Sequence, residues 1–356
     1  LNKIVVLIML AISISSFGQK NKKSESTKVK KDRKVKVLPV PAFGYSPETR
    51  AYVGAVALFT LDLYKDSLTR TSNAKVEFNY TWNKQSILEA QWSYFFKEEK
   101  WFTDGKFHLS KYPDQYFGIG SYSEDTLGIT FNSNRLISKI DVLKRVRKSL
   151  FAGIGLEYIK YSKISGDDLG TFDELRNQEN FEISVDGIFD SRNNLLNSTS
   201  GKYANVSVGY NLGANEYVKT RVDLRTYKTW KDKYTFAMRF FNEFTNNAPN
   251  FYDMAKMGGD INGRGYFYGR YRDNNLSSLQ VEGRFDIWWR LDLAVFGGLS
   301  SVYSGFDNLS ASRIAPNYGF GLRILADKAE NVNLRFDYAL GIDGQSGFYV
   351  SFGESF

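Results

Sequence analysis

Val332-Asn333-Leu334-Arg335-Phe336-Asp337-Tyr338-Ala339-Leu340 sets apolar side chains at the even positions against Asn333, Arg335 and Asp337 at odd ones. An extended strand points successive side chains to opposite faces, so one face of this segment is hydrocarbon and aromatic while the other carries charge. The pattern repeats outward from here. Leu279, Val281, Phe285, Ile287 and Trp289 oppose Gln280, Glu282, Arg284 and Asp286, and Ala204, Val206, Val208, Tyr210 and Leu212 oppose Asn205, Ser207, Gly209 and Asn211. Near the start, Ala51, Val53, Ala55, Ala57, Phe59, Leu61 and Leu63 fall on one face.

A soluble β-sandwich alternates in the same way, but its strands average about 5 to 6 residues. These runs are mostly about 10 to 14 residues, close to the 9 to 11 that a tilted strand needs to cross the hydrocarbon layer. Length therefore favours an all-β fold, a transmembrane antiparallel β-barrel whose apolar face meets lipid. Runs near residues 36–46, 50–63, 74–84, 86–97, 101–110, 126–143, 149–161, 178–190, 202–213, 218–230 and 233–245 precede a long connection. Five more follow, near 278–289, 291–303, 317–326, 331–341 and 346–356. About sixteen strands, an even number, put both termini on one side, the periplasmic side of a Gram-negative outer membrane. Residues 116–123 read either as part of the sixth strand or as loop. Trp82, Trp101, Trp230, Trp288 and Trp289 near strand ends fit interfacial girdles.

Composition agrees. Mean hydropathy is −0.37 and aromatics reach 16%, while no run approaches the roughly 20 apolar residues of a membrane helix. The absence of cysteine excludes disulfides and thiolate metal sites, and His108 is the only histidine. A Ser/His pair would have to use His108, and Phe107-His108-Leu109-Ser110 shows no nucleophile motif. The chain reads as a non-enzyme, with no catalytic residue, no metal and no cofactor expected.

Residues 1–19 read as a secretory signal, with Lys3 ahead of an apolar core over 4–14 and the small residues Ser15, Ser16 and Gly18 after it. Residues 20–36 hold nine basic residues against Glu25 and Asp32 and read as a disordered periplasmic tail. Outside that tail and Lys3, basic and acidic residues are equal, so the formal charge of +8 belongs to the N-terminus rather than to the barrel over 37–356. The tail reads equally as a spacer or as a contact for anionic lipid, peptidoglycan or an acidic partner. No nucleic-acid partner is expected in the periplasm.

Two motifs carry a resemblance. The long connection contains Gly258-Gly259-Asp260-Ile261-Asn262-Gly263-Arg264-Gly265-Tyr266, and Glu282-Gly283-Arg284-Phe285 follows on the next strand. Asp190-Ser191-Arg192-Asn193-Asn194, followed by Gly201, stands at an expected periplasmic turn. Together they resemble the BamA/TamA-like surface-antigen outer-membrane barrels, which include protein insertases and two-partner secretion translocators. The resemblance implies that the long extracellular loop folds back into the lumen, where Arg264, Gly265 and Tyr266 form its tip and Arg264 meets Glu282 and Asp286. It also implies a turn built on Asp190, Arg192, Asn194 and Gly201. The closing alternation, ending in Phe352 and Phe356, reads as a C-terminal assembly signal.

The chain departs from that pattern in three places. Gly263 replaces the apolar residue before Arg-Gly, Ser198 replaces a turn proline, and Gly298 stands where the family's following strand carries aspartate, leaving Arg264 short of a partner. The stretch between signal and first strand is also far too short for the POTRA domains that receive clients in this family. The resemblance implies a POTRA-less member acting in outer-membrane protein or lipid assembly or translocation, as one subunit of a larger complex. Its partners would be outer-membrane lipids and outer-membrane or periplasmic proteins. The alternative is a passive channel for small solutes.

Overall fold

The computed structural model describes residues 35–64, 69–121, 128–166, 172–308, 314–327 and 331–356. The signal segment and nearly all of the basic tail lie outside the described residues. The chain forms β1 (Val35–Ser46), β2 (Arg50–Leu61), β3 (Ser72–Thr81), β4 (Ser86–Phe95), β5 (Trp101–Tyr116) and β6 (Ile129–Arg147). It continues through β7 (Leu150–Ser165), β8 (Gln178–Asp190), β9 (Gly201–Gly213), β10 (Tyr217–Trp230) and β11 (Tyr234–Thr245). After the short β12 (Ala255–Met257) and β13 (Tyr271–Asp273) come β14 (Asn275–Trp288), β15 (Leu291–Tyr303), β16 (Ala315–Asp327), β17 (Val332–Leu340) and β18 (Ser346–Phe352). β12 and β13 pair only with each other; the rest form one 16-stranded antiparallel sheet in chain order. The eleven-then-five division read from the sequence is the division of the sheet. Residues up to Tyr116 belong to β5, and the sixth strand starts at Ile129.

Exposure is inverted relative to a soluble protein. Val53, Phe78, Val142, Ile154, Val185, Val208, Phe236, Val295 and Phe320 are exposed, whereas Asp141, Glu182, Arg239, Glu282, Arg323, Arg335 and Asp337 are buried inside the ring. A charged side chain on the lipid face costs about 2–4 kcal/mol at the midplane. Slipping β17 by one residue would turn Arg335 and Asp337 outward together, so alternation fixes the register. The turns do the same locally: Lys231 and Asp232 both have positive φ, 53° and 54°, the backbone of a tight hairpin that keeps the right-handed strand twist.

The ladder ends at β1 on one side and β18 on the other. Pro39 and Pro41 lie on β1, and an edge strand is where a residue without an amide hydrogen is tolerated. Side chains cross the seam instead. The Tyr52 hydroxyl donates to the Val350 carbonyl at 3.2 Å. It passes over Gly44, where a Cβ would come within 2.3 Å of that hydroxyl. The Tyr45 ring meets Phe348 with centroids 6.1 Å apart.

The last strand is shorter than its alternation predicts. It stops at Phe352, and Gly353 (φ +80°) turns the chain inward. Phe356 ends buried against Tyr227 and Ala237 rather than on a strand facing lipid. Burying a terminal ring and pairing Glu354 inside the barrel outweighs three more residues of ladder.

Candidate functional site: the loop and its carboxylate cage

Residues 246–274 leave β11, fold back into the barrel and return to β14. The β12–β13 hairpin forms the neck, and its Ala255, Met257 and Tyr271 pack with Tyr266, Leu276, Val302 and Ala315. Two glycines let the backbone turn at the tip. Gly258 has φ +103°, and a Cβ there would lie 2.1 Å from the Phe267 carbonyl oxygen. Gly265 also has φ +103° and sits against Leu340, where a Cβ would come to 2.9 Å from its carbonyl carbon.

Between them Arg264 is 1% exposed. Its Nη2 donates to Glu282 Oε2 at 2.7 Å and its Nη1 to Asp337 Oδ2 at 2.6 Å. Its guanidinium carbon lies 3.4 Å from the centroid of the Phe296 ring. Three further arginines surround the same carboxylates. Arg323 reaches Asp337 at 2.5 Å and Glu354 at 2.9 Å, and Arg284 reaches Glu282 at 2.7 Å. Arg335 holds Asp260 of the loop at 2.5 Å. Arg264, Arg284, Arg323 and Arg335 thus face Asp260, Glu282, Asp337 and Glu354, four charges of each sign. A buried pair of this kind adds little net stability over an apolar equivalent, but removing one member strands a charge and costs about 3–5 kcal/mol. The cage therefore specifies one seating of the loop.

The rest of the tip spans the seam. The Gly265 amide donates to the Tyr349 hydroxyl on β18 at 3.0 Å, and the Tyr268 amide donates to Glu48 Oε1, on the β1–β2 turn, at 2.7 Å. The Tyr266 hydroxyl donates to the Pro316 carbonyl at 2.7 Å and accepts from the Ile342 amide at 3.0 Å. The loop thus holds both edges of the open sheet. Burial pushes the Glu48 carboxyl above its ordinary range.

Arg264, Gly265, Tyr266 and Glu282 come together. Asp286 does not: it is exposed, next to an irregularity in β14 at Asp286/Trp288, with its amide bonded to the Lys233 carbonyl at 2.9 Å. The inward parity of Gln280, Glu282 and Arg284 ends before it. Nor does a glycine at 298 leave Arg264 short of a partner. Asp337, which the sequence placed on the charged face of its strand without assigning it a partner, supplies the second carboxylate. A Cβ at Gly298 would meet Asn317 Oδ1 at 2.8 Å and the Leu279 carbonyl oxygen at 2.9 Å, so that space is already filled.

The second motif forms a compact turn. Arg192 donates to both carboxylate oxygens of Asp190, at 3.0 and 3.1 Å. Asn194 Oδ1 accepts from the amides of Leu196 and Asn197 at 2.7 and 2.9 Å. Gly201, with φ +103°, admits Ser191, whose carbonyl oxygen would be 2.2 Å from a Cβ. Ser198, in the proline's place, donates its hydroxyl to the Asn194 carbonyl at 2.7 Å. Arg284 reaches the Ser198 carbonyl at 3.1 Å, joining this turn to the cage.

One arrangement escaped the sequence reading. His108 Nδ1 lies 3.2 Å from Glu89 Oε2 and its Nε2 lies 3.0 Å from Ser110 Oγ. Direct cross-strand pairing of Glu89 with His108 makes it possible. Glu89 is shared with Lys106, Lys75 and Gln91, Ser110 is 4% exposed, and β5 is laddered on both sides, so its amides are committed to neighbours. An oxyanion needs free donors aimed at it. Among the described residues no group of three or more His, Asp and Glu is placed to hold a metal ion.

Comparison with solved structures returns this fold. BamA from Haemophilus ducreyi lacking POTRA domains 1–3 superposes with a TM-score of 0.59 at 13% identity, over 98% of this chain and 78% of that one. CdiB from Acinetobacter baumannii gives 0.59 at 12%, over 89% and 60% of the two chains, and CdiB from Escherichia coli gives 0.55 at 12%, over 90% and 62%. The chain thus spans less than two thirds of either CdiB. No curated protein sequence matches it. The Omp85 superfamily domain matches residues 54–356, which take in every strand from β3 onward, the inward loop and the whole cage: the chain belongs to the Omp85 superfamily.

Proposed function

We propose that this barrel works in outer-membrane protein or lipid assembly or translocation, as one subunit of a larger complex, with both termini in the periplasm and without enzymatic chemistry. The observation that carries the reading is the Arg264 cage. A loop seated by Glu282 and Asp337, and tied to Glu48 and Tyr349 on the two sheet edges, invests buried charge in the geometry of the seam, which a passive pore has no need to control. The same loop folds into the lumen, and Phe356 is buried there against Tyr227 and Ala237, an arrangement that disfavours free diffusion of solutes.

The test is removal of the chain from its cell, with the outer-membrane proteome and lipid asymmetry as readouts, alongside its purification from detergent-solubilised membranes. A changed membrane and a stable co-purifying assembly are expected. An unchanged membrane with only monomer recovered, together with steady conductance in planar bilayers, would make it a channel instead.

A further inference from the structure

At the end of the barrel where β1 begins and β18 ends, the connections after β2, β4, β6 and β8 line a cleft of about 980 Å³. Five cations line it, Arg70, Arg145, Arg147, Lys148 and Arg192, against only two carboxylates, Glu99 and Asp190. The Arg264 cage balances its charges four against four; this cleft does not. Arg70 is held in place from two sides. Its Nε donates to Glu99 at 2.8 Å, its Nη1 reaches Asp190 at 3.4 Å, and its guanidinium lies 4.3 Å from the centroid of Phe95. Its Nη2 is buried and has no hydrogen-bond partner. Arg192 is occupied by Asp190. Among the described residues, Arg145, Arg147 and Lys148 have no carboxylate within ion-pair distance.

We infer that this cleft is a docking site for an acidic peptide segment of a protein partner. Arg145 shares the parity of Asp141 and Leu143, which point into the barrel, while Val142 and Val146 on the other face are exposed toward lipid; β6 is irregular between Arg145 and Arg147, and beyond that point Arg147 and Lys148 also line the cleft. The cations thus open into the mouth rather than onto the membrane. The volume exceeds that of one phosphate and suits several carboxylate side chains, and guanidinium forks match carboxylates bidentately. Residues 20–36, with nine basic positions, carry the same sign of charge as this cleft and so are not its electrostatic complement. The inference rests on the reading of the barrel as a subunit. A cleft that binds no acidic peptide would leave that reading standing, since removal of the chain tests it separately.

The experiment uses the full chain in detergent micelles and a fluorescein-labelled deca-glutamate peptide, followed by anisotropy. The triple variant R145Q/R147Q/K148Q is compared with K228Q/K231Q/K233Q, which removes equal charge from another turn at the same end. Heat-modifiable migration on gels establishes that each is folded, and the basic tail, common to all, cancels in the comparison. Binding should weaken by about tenfold or more in the first variant and by less than about twofold in the second, as local charge complementarity requires. Equal weakening in both, or none in either, would overturn the site. So would a triple variant that binds peptide normally but no longer floats with phosphatidylglycerol vesicles, since the cations would then serve the membrane.

Discussion

Asp337 on β17 grips Arg264 at 2.6 Å from a strand that the Arg-Gly-Tyr motif gives no reason to inspect, while Gly298 on β15, where a carboxylate was expected, is packed against Asn317. The second carboxylate on Arg264 comes from β17 and not from β15. Arg264→Ala should leave the cage with three arginines against four buried carboxylates, one negative charge uncompensated, and destabilise the barrel by about 3–5 kcal/mol. Arg264→Lys should recover only part of this, because a point charge cannot bond two carboxylates with a planar fork. Thermal shift of heat-modifiable migration reads both, and an alanine variant as stable as the parent would show that the cage does not hold the loop.

The same relationship predicts that restoring the family residue fails. Gly298→Asp adds a Cβ into a space bounded by Asn317 Oδ1 at 2.8 Å and the Leu279 carbonyl oxygen at 2.9 Å. Overpacking of this kind costs about 1–3 kcal/mol, and a fifth carboxylate beside the balanced cage adds repulsion. The variant should melt below the parent, and a rise in melting temperature would mean that Asn317 yields freely.

Strand number, the long inward loop and the Arg264–Glu282 contact were legible because each rests on local alternation or on a short motif. Asp337 shared the lumen face of Arg335 by parity, yet its partner lies 73 residues away, and only the closed register brings them together. Asp286 misled because parity was carried past the irregularity that ends it. The closing run to Phe356 misled for the opposite reason: alternation continued in the sequence after the backbone had turned at Gly353. The β12–β13 hairpin was invisible because three-residue strands carry no period.

The tail gives a direct test of that inward turn. Phe356 is buried against Tyr227 and Ala237, so Phe356→Ala should cost roughly 3 kcal/mol, as for other buried aromatic truncations. A ring exposed on a lipid-facing strand would lose far less in detergent. Melting of the purified variant, measured after its folded fraction has been isolated, separates this packing from any role in membrane insertion.

The seam contact predicts a local change. Tyr52→Phe removes the hydrogen bond to the Val350 carbonyl, a loss of about 1 kcal/mol. With no backbone ladder between β1 and β18, hydrogen exchange should quicken over 346–352 while β8 to β10 keep their protection. Uniform protection along β18 in the variant would mean that the hydroxyl is not what closes the edge.

Glu48 adds a pH dependence whose sign follows from burial. Burial pushes its carboxyl above the ordinary glutamate value of 4.5, so over the interval between the two the folded barrel holds a proton that the unfolded chain has already released. Stability from this group is fully present below pH 4.5 and is lost as pH rises through the higher folded value. Glu48→Gln keeps an acceptor for the Tyr268 amide but cannot ionise. The difference in melting temperature between the two proteins should be smallest in acid and should grow in favour of glutamine as pH rises to neutrality, with the loop anchor at 268 becoming the more protected in the variant. A difference that is flat with pH would show that Glu48 stays ionised in the fold, held by the loop amide against the cost of its burial.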